Sequence, residues 1–333
     1  MEVPAGHRTD DIPLADARAL IDRAIDKAED IKMRGAIAVI GASGALVSAS
    51  RMDHGGAGGM ARARSKAWIA ATQQIPSLEH LKRMGMVAPP MVTGFVACSP
   101  EAVFPGAGGM PIRRDGWVIA GIAASGAGIG PFVDYPGADR RKLIADGIPA
   151  NGEDLLVHYA LGLPYEGQHG DDHERWVAAY GPFPDDAGEG LGMADPPRAS
   201  GQHEHAWARE LADKAIAAAA ERGLSACVSI VDQRGEPVQQ DRMDGAPSAA
   251  VHVSEATAAA AATFQCPSRE LSGRYTGEAT LALLAAALPY RILPVAGALP
   301  VAGPDGSVVA GIGIGGPSPD RCAELASAAL AGA

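Results

Sequence analysis

The 333-residue chain is poor in aromatic side chains, with 5 Phe, 6 Tyr and 4 Trp. That scarcity disfavours a binding platform built by aromatic stacking and suits closely packed interfaces of small residues. Cations are also in the minority: 28 Lys and Arg stand against 39 Asp and Glu, a net charge of −11. Such a balance argues against nucleic acid or an anionic membrane surface as the main partner. Cysteine is sparse, and no two of Cys98, Cys227, Cys266 and Cys322 form a CxxC. This excludes a zinc ribbon or a thioredoxin motif and reads as scattered buried thiols in a reducing compartment. No apolar run reaches about 18 residues without a polar residue, Gly or Pro, so no membrane span is expected. Met1–Asp11 lacks the apolar stretch of a secretory signal. The expectation is a cytoplasmic protein with a small-molecule partner. Hydrophobic residues make up 47% of the chain, enough to build the cores of about two domains.

Internal repetition is the strongest signal present. Shifted by 191 residues, Arg18, Leu20, Ala24, Ile25 and Ala28 fall on Arg209, Leu211, Ala215, Ile216 and Ala219. Arg51-Met52-Asp53 falls on Arg242-Met243-Asp244, and Thr72, Gln74, Pro76 and Ser77 fall on Thr263, Gln265, Pro267 and Ser268. Further on the offset drifts to 189 and 190, where Gly108-Gly109-Met110-Pro111 meets Gly297-Ala298-Leu299-Pro300 and Ala120-Gly121-Ile122 meets Ala310-Gly311-Ile312. These blocks are not Ala-rich, so the match is a tandem duplication.

Each copy predicts the same elements. A helix (Leu14–Met33; Ala206–Arg222) carries apolar residues at helical spacing. A hairpin follows (first strands Ala36–Ile40 and Ala226–Val231) and leads into Arg-Met-Asp. A small-residue helix comes next (about 61–74; about 248–265). After a variable segment a second hairpin turns at Asp-Gly, with strands Trp117–Ala124 and Ser307–Ile314. The second copy closes with a helix over Pro319–Leu330. Residues 131–201, rich in Pro, Gly and Asp, read as a long connector with one helix-like piece near Glu153–Leu161. The division is 12–130, 131–201 and 202–331.

The order of helix, hairpin ending in Arg-Met-Asp, Ala-rich helix, Pro-Ser, second hairpin and Gly-rich strand end resembles the GlcG/HbpS-like family of heme-binding or heme-degrading domains. It is similar also to the C-terminal module of PduO-type proteins. The fullest pattern is in copy two: Ser229-Ile230-Val231-Asp232, Arg242 through Ala246, Pro267-Ser268 and Gly311 through Gly316. The resemblance implies an α/β (α+β) fold for each module, profilin- or PAS-like, an antiparallel sheet with packed helices, and the duplication makes two tandem modules related by a pseudo-two-fold axis. It implies heme as the cofactor and assembly into homo-oligomers. The family pattern has Asp at the end of the first strand and Lys early in the Ala-rich helix. Copy one keeps Lys66 but has Gly41; copy two keeps Asp232 but has Thr257. Either two equivalent sites became one asymmetric site, or the copies drifted.

Several side chains carry chemistry. Arg51 and Arg242 precede a helix and can clamp a carboxylate or propionate, with Asp53 and Asp244 orienting them; alternatively each Arg–Asp pair ties its hairpin to the next helix. His54 beside Arg-Asp is a candidate acid–base group or metal ligand, or an exposed turn residue. Lys66 is the copy-one helix cation. With Asp53 and His54 it forms the expected catalytic set, and Arg51, Gly55, Gly56, Arg242, Asp244, His252 and Glu255 form the expected ligand set. Gly55 and Gly56 open the helix, where backbone N–H groups favour an anion. His252 and Glu255 share a helix face, suited to a metal, heme iron or a mutual hydrogen bond. His169 with His173, and His203 with His205, have weaker metal spacing, and the identity of any metal stays open. The run Gly311–Gly316 lacks a parallel βαβ context, which excludes a dinucleotide loop; it reads as close backbone approach to a ligand or a neighbouring module. Three functions fit: binding of heme or a related small anionic ligand in one asymmetric pocket; catalysis of the lyase, isomerase or hydrolase kind on a small carboxylate or carbonyl compound; or a non-catalytic assembly subunit.

Overall fold

The computed structural model describes residues 12–30, 33–53, 55–87, 89–99, 102–104, 106–126, 152–163, 168, 205–274, 283, 288 and 290–331. The chain divides into two compact units, Met1–Val47 with His54–Pro196, and Ser48–Asp53 with Pro197–Ala333. No helix among the described residues is long and apolar enough to cross a membrane.

In the first unit, helix α1 spans Leu14–Asp30. It buries Ala17, Ile21, Ala24 and Ala28, one stripe at three- and four-residue spacing. Met33 N–H bonds back to the Ala28 carbonyl at 2.7 Å. Strand β1 (Ala36–Gly41) pairs antiparallel with β4 (Trp117–Ser125), which pairs with β3 (Gly109–Arg114). Helix α2 (Gly59–Gln73) lies over β1, β3 and β4. Two helices occupy the variable segment, α3 (Ser77–Val87) and α4 (Pro89–Cys98). Helix α5 (Gly152–Leu161) packs on α1 and β4.

The second unit repeats the plan. Helix α6 (His205–Glu221) buries Ala208, Ala212, Ala215 and Ala219, the counterparts of the α1 stripe. Its strands are β5 (Cys227–Asp232), β6 (Pro237–Arg242), β7 (Ala298–Ala302) and β8 (Val308–Gly315), paired antiparallel in the order β6-β5-β8-β7. Helix α7 (Ala249–Phe264) covers this sheet, and a 3-10 turn (Ser268–Glu270) runs into the short helix α8 (Leu271–Arg274). Helix α9 (Pro319–Ala331) packs on α6 and β8. One strand crosses the sequence boundary. Strand β2 (Leu46–Arg51) comes from copy one, yet from Ser48 onward it belongs to the second unit and pairs with β6. Ser48 faces Asp241, Ala49 faces Gln240 and Ser50 faces Gln239. Ala49 thus faces its own counterpart in copy two, so the pairing is locally symmetric.

The correspondence extends to fine detail. Both small-residue helices end on a glutamine in the left-handed region, Gln74 at φ 63° and Gln265 at φ 54°. The Ser of each Pro-Ser pair is buried and holds the start of the following strand. Ser77 Oγ donates to the Gly106 carbonyl at 2.7 Å and accepts from Gly109 N–H at 3.2 Å. Ser268 Oγ donates to the Val295 carbonyl at 2.5 Å and accepts from Ala298 N–H at 3.1 Å. The last helices match as well: Leu156, Val157 and Ala160 of α5 are buried as Leu325, Ala326 and Ala329 of α9 are. Between Ser125/Gly315 and Glu153/Cys322 the offset falls from 190 to 169, so copy one carries 21 extra residues there. The helix-like piece assigned to the connector is therefore the final helix of copy one, displaced by an insertion.

The glycine run lies directly against the helix of its own unit. A Cβ on Gly311, Gly313 or Gly315 would strike the carbonyl oxygen of Ala258, Ser254 or Ala250 respectively. Two residues of strand and four of helix both advance by roughly 6–7 Å, so alternate glycines meet successive turns of α7. Gly313→Ala should cost about 1–3 kcal/mol by overpacking, read from the denaturation midpoint. Gly273→Ala, with no atom within 4 Å of the new methyl, is the control expected to stay within about 0.5 kcal/mol.

Candidate functional site

Two clusters of buried charge arise, one in each unit. In the first unit Lys66, midway along α2, is completely buried, and its Nζ meets Glu153 Oε2 at 2.5 Å. Glu153 Oε1 accepts from Gly126 N–H at 2.7 Å, and the Phe104 ring centroid lies 6.0 Å from the ammonium. The next residue, Asp154, is also fully buried. It accepts from Gly108 N–H at 2.8 Å and from the Gln168 backbone and side chain at 2.9 and 2.7 Å. Burial pushes the Asp154 carboxyl up, against the pull of these donors and of the His158 charge. In copy two Cys322 takes the place of Glu153 against Gly297, as Glu153 stands against Gly108, and Thr257 takes the place of Lys66. A buried ion pair in one copy is a neutral pair in the other.

In the second unit the focus is Arg51. Its side chain is 8% exposed, and Nη2 donates to Asp232 Oδ2 at 2.9 Å. Asp232 also accepts from the N–H groups of Arg234 and Glu236 at 2.9 and 3.1 Å, and the exposed Arg234 guanidinium approaches within 3.5 Å. Burial alone would raise the Asp232 carboxyl. The Arg51 hydrogen bond and charge, with the two N–H donors, outweigh it and hold Asp232 below the usual range. Its stabilising contribution is complete above the ordinary carboxylate value and is lost only as pH falls through the depressed one. Glu236 behaves oppositely: burial, Asp232 and Glu255 push its carboxyl up, against Arg51 and Arg234. Its ionisation therefore costs stability as pH rises from the ordinary value of 4.5 toward the raised one. Glu255 Oε2 accepts from Gln240 Nε2 at 3.0 Å, and Gln240 reaches Ser229 Oγ at 3.3 Å.

The expected residues separate accordingly. Lys66 sits in the first cluster, Arg51 and Glu255 in the second. Arg51 pairs with Asp232 of copy two, not with its motif neighbour Asp53, because the β2–β6 pairing carries it to the end of β5. Arg242 donates to the Ala246 carbonyl at 3.2 Å, tying its own turn. Asp244 and His252 are exposed, Gly55 is half-buried, and the carbonyl of the exposed Gly56 accepts from Gly59 N–H at 2.8 Å, forming the turn into α2. His54, His169, His173 and His203 lie outside the described residues. Among the described residues no group of three or more His, Cys, Asp or Glu could hold a metal. Cys98 is exposed, against the expectation of uniformly buried thiols, whereas burial pushes Cys227 up to about 12 and Cys322 to about 11, leaving both inert.

Sequence reading missed Glu153 and Asp154, which follow the insertion, and Glu236, a turn residue without a motif. It also missed His80, whose Nε2 is buried without a hydrogen-bond partner and whose ring stands edge-on to Phe95 at 5.0 Å. Burial lowers its pKa, so the ring is neutral at pH 7.

The buried first-unit pair makes a stability prediction. Glu153→Gln strands a buried ammonium and should cost about 3 kcal/mol in chemical denaturation. Adding Lys66→Met should restore at least about 1.5 kcal/mol of that loss, the mark of direct coupling.

The family model described as haem degrading protein HbpS-like matches residues 12–130 and 204–331. A solved PduOC:heme complex is 26% identical, with 38% of this chain and 90% of that chain covered and a TM-score of 0.35. The Klebsiella pneumoniae protein ORFY is 25% identical over 38% of this chain and 86% of its own, with a TM-score of 0.35. A double mutant of Streptomyces reticuli HbpS is 31% identical over 41% and 92%, with a TM-score of 0.35. No curated protein matches the chain. With two matched regions that together span most of its length, the chain belongs to the HbpS-like family, as a tandem of two modules.

Proposed function

We propose that the protein binds heme, or a closely related anionic tetrapyrrole, at one asymmetric site per chain. Family membership supplies the ligand class. The observation that carries the site is Arg51, buried and fixed by a single bond to Asp232. Its Nε and Nη1 have no hydrogen-bond partner among the described residues. A planar guanidinium held rigid in this way can donate to one oxygen of a propionate carboxylate, its Nη2 being held by Asp232. The counterpart turn of copy one cannot reproduce the site: Gly41, Ser43 and Ala45 stand where Asp232, Arg234 and Glu236 stand, and Arg64 replaces Glu255. The donor set thus fits the propionate edge of the macrocycle. Heme, when bound, supplies iron for redox or oxygen chemistry. The chain's own part is to bind and orient: Asp232 aims the Arg51 fork, and Gln240 steadies Glu255 beside it. Lys66 is engaged by Glu153 in the first unit. The low aromatic content and net charge of −11 favour a small-molecule partner over nucleic acid, and the small-residue packing favours homo-oligomers.

Titration with hemin, followed at the Soret band, tests the reading. A saturable red shift is expected. Arg51→Ala should weaken binding about 10- to 100-fold, the worth of one charge-assisted hydrogen bond of about 1.5–3 kcal/mol. Arg242→Ala should change it less than about threefold on the same scale. The absence of a saturable shift, or an equal loss from Arg242→Ala, contradicts the proposal.

A further inference from the structure

We propose that Gln239 is a positioning residue for carboxylate recognition: through Ser50 and Asp241 it fixes the register of β2 on β6, and so holds Arg51 where its remaining donors meet a ligand's carboxylate. The inference rests on the tetrapyrrole reading and deepens it, assigning selectivity for the free propionate to a side chain that acts only through Arg51.

Arg51 follows Ser50 at the end of a strand joined to β6 by three register pairs, Ser48 with Asp241, Ala49 with Gln240 and Ser50 with Gln239. Backbone bonding over so short a seam is the same in any register, so the side chains must choose one. Ser48 and Ser50 share one face of β2, and Gln239 and Asp241 share the facing positions of β6. Gln239 is completely buried and uses both ends of its amide: Oε1 accepts from Ser50 Oγ at 2.7 Å, and Nε2 donates to Asp241 Oδ2 at 2.7 Å. Asp241 Oδ1 accepts from Ser48 Oγ at 2.8 Å, which closes the chain of bonds back onto β2. By the 191-residue offset Ser48 and Ser50 are the counterparts of Gln239 and Asp241, so divergence has set short hydroxyl donors on one strand against longer acceptors on the other. A slip of one residue sets the serines against positions whose side chains lie on the other face. A slip of two keeps the faces but opposes Ser50 to Pro237 in one direction and Ser48 to Met243 in the other. Neither side chain offers a hydroxyl a strong partner, and each slip strips Asp241 or Gln239 of its serine where burial makes that loss expensive. Two residues of slip move Arg51 by about 6–7 Å along the strand. The contact of 2.9 Å with Asp232, which aims the guanidinium, does not survive such a shift.

Hemin and hemin dimethyl ester, in which the propionates are capped, are titrated against each variant, and the ratio of the two affinities reports carboxylate recognition. Wild type should prefer hemin by about 10- to 100-fold, the worth of one charge-assisted hydrogen bond. Gln239→Leu and Ser50→Ala should each bring the ratio to within about threefold of unity. Ser50→Thr keeps the hydroxyl and should retain the preference. In an Arg51→Ala background Gln239→Leu should change the ratio no further. Val301→Ala trims the buried core of the same unit on β7, the strand farthest from β6, and should lower stability while leaving the ratio alone. Ser50→Ala carries the test if Gln239→Leu does not fold. A second readout needs no ligand: the coupling of Arg51 with Asp232, taken from a double-mutant cycle on stability, should fall by at least about half in a Ser50→Ala background. A hemin preference kept by both Gln239→Leu and Ser50→Ala, lost equally in Val301→Ala, or lowered further by Gln239→Leu in the Arg51→Ala background overturns the inference and leaves the tetrapyrrole reading standing. Ester binding as tight as hemin in wild type also overturns it, since no carboxylate is then recognised. Absence of saturable hemin binding overturns the tetrapyrrole reading; the positioning role stands if Ser50→Ala halves the Arg51–Asp232 coupling and falls with that reading if the coupling is unchanged.

Discussion

The ion pair between Arg51 and Asp232 is the constraint on which the functional geometry turns. Asp232 ends β5 of the second copy, and Arg51 ends β2 of the first, 181 residues earlier in sequence. They meet because β2 pairs with β6 and becomes part of the second unit. The seam is polar as well as hydrogen-bonded along its backbone. Ser48 Oγ donates to Asp241 Oδ1 at 2.8 Å, Ser50 Oγ donates to Gln239 Oε1 at 2.7 Å, and Gln239 Nε2 donates to Asp241 Oδ2 at 2.7 Å. All four side chains are buried, and both side-chain bonds across the seam would be lost by a one-residue slip of register. The seam therefore fixes where the Arg51 fork points.

Duplication frees each copy to lose what the other keeps. Copy two retains the acidic strand end and recruits Arg51; copy one retains the lysine and recruits Glu153 through its displaced last helix. In each case the counterpart position has become small or neutral: Gly41 and Ala45 on one side, Thr257 and Cys322 on the other. Burying a charge without its partner costs several kcal/mol, of order 3–5 for a broken buried pair. A copy that loses one member of a pair is thus driven to lose the other, and complementary divergence follows from electrostatics.

Much of the fold was legible in the sequence, because periodicity and turn chemistry are local. The Arg-Met-Asp, Gln-x-Pro-Ser and Asp-Gly blocks recur where strands end, where Gln74 and Gln265 turn left-handed, and where Ser77 and Ser268 tie the next strand. The small-residue composition of α7 was legible too, but its reason was not. Alanine there lets the helix sit directly on Gly311, Gly313 and Gly315, a contact that no periodicity encodes. The variable segment, where the two copies do not align, hid α3 and α4. The site was half legible. Arg51, Lys66 and Glu255 stood out as residue types in motifs, while their partners lie far along the chain: Glu153 is 87 residues from Lys66. Glu236 carries no signal of its own, and its carboxyl is pushed up only by the burial and the charges that folding brings.

The claim that Arg51 and Asp232 act as one unit is tested most directly by a double-mutant cycle on stability, with Arg51→Met, Asp232→Leu and the pair. Direct contact in a buried setting gives a coupling of at least about 1.5 kcal/mol, the double variant being much less destabilised than the two singles together. Losses that add to within about 0.5 kcal/mol would show that the first copy's arginine does not complete the second copy's site.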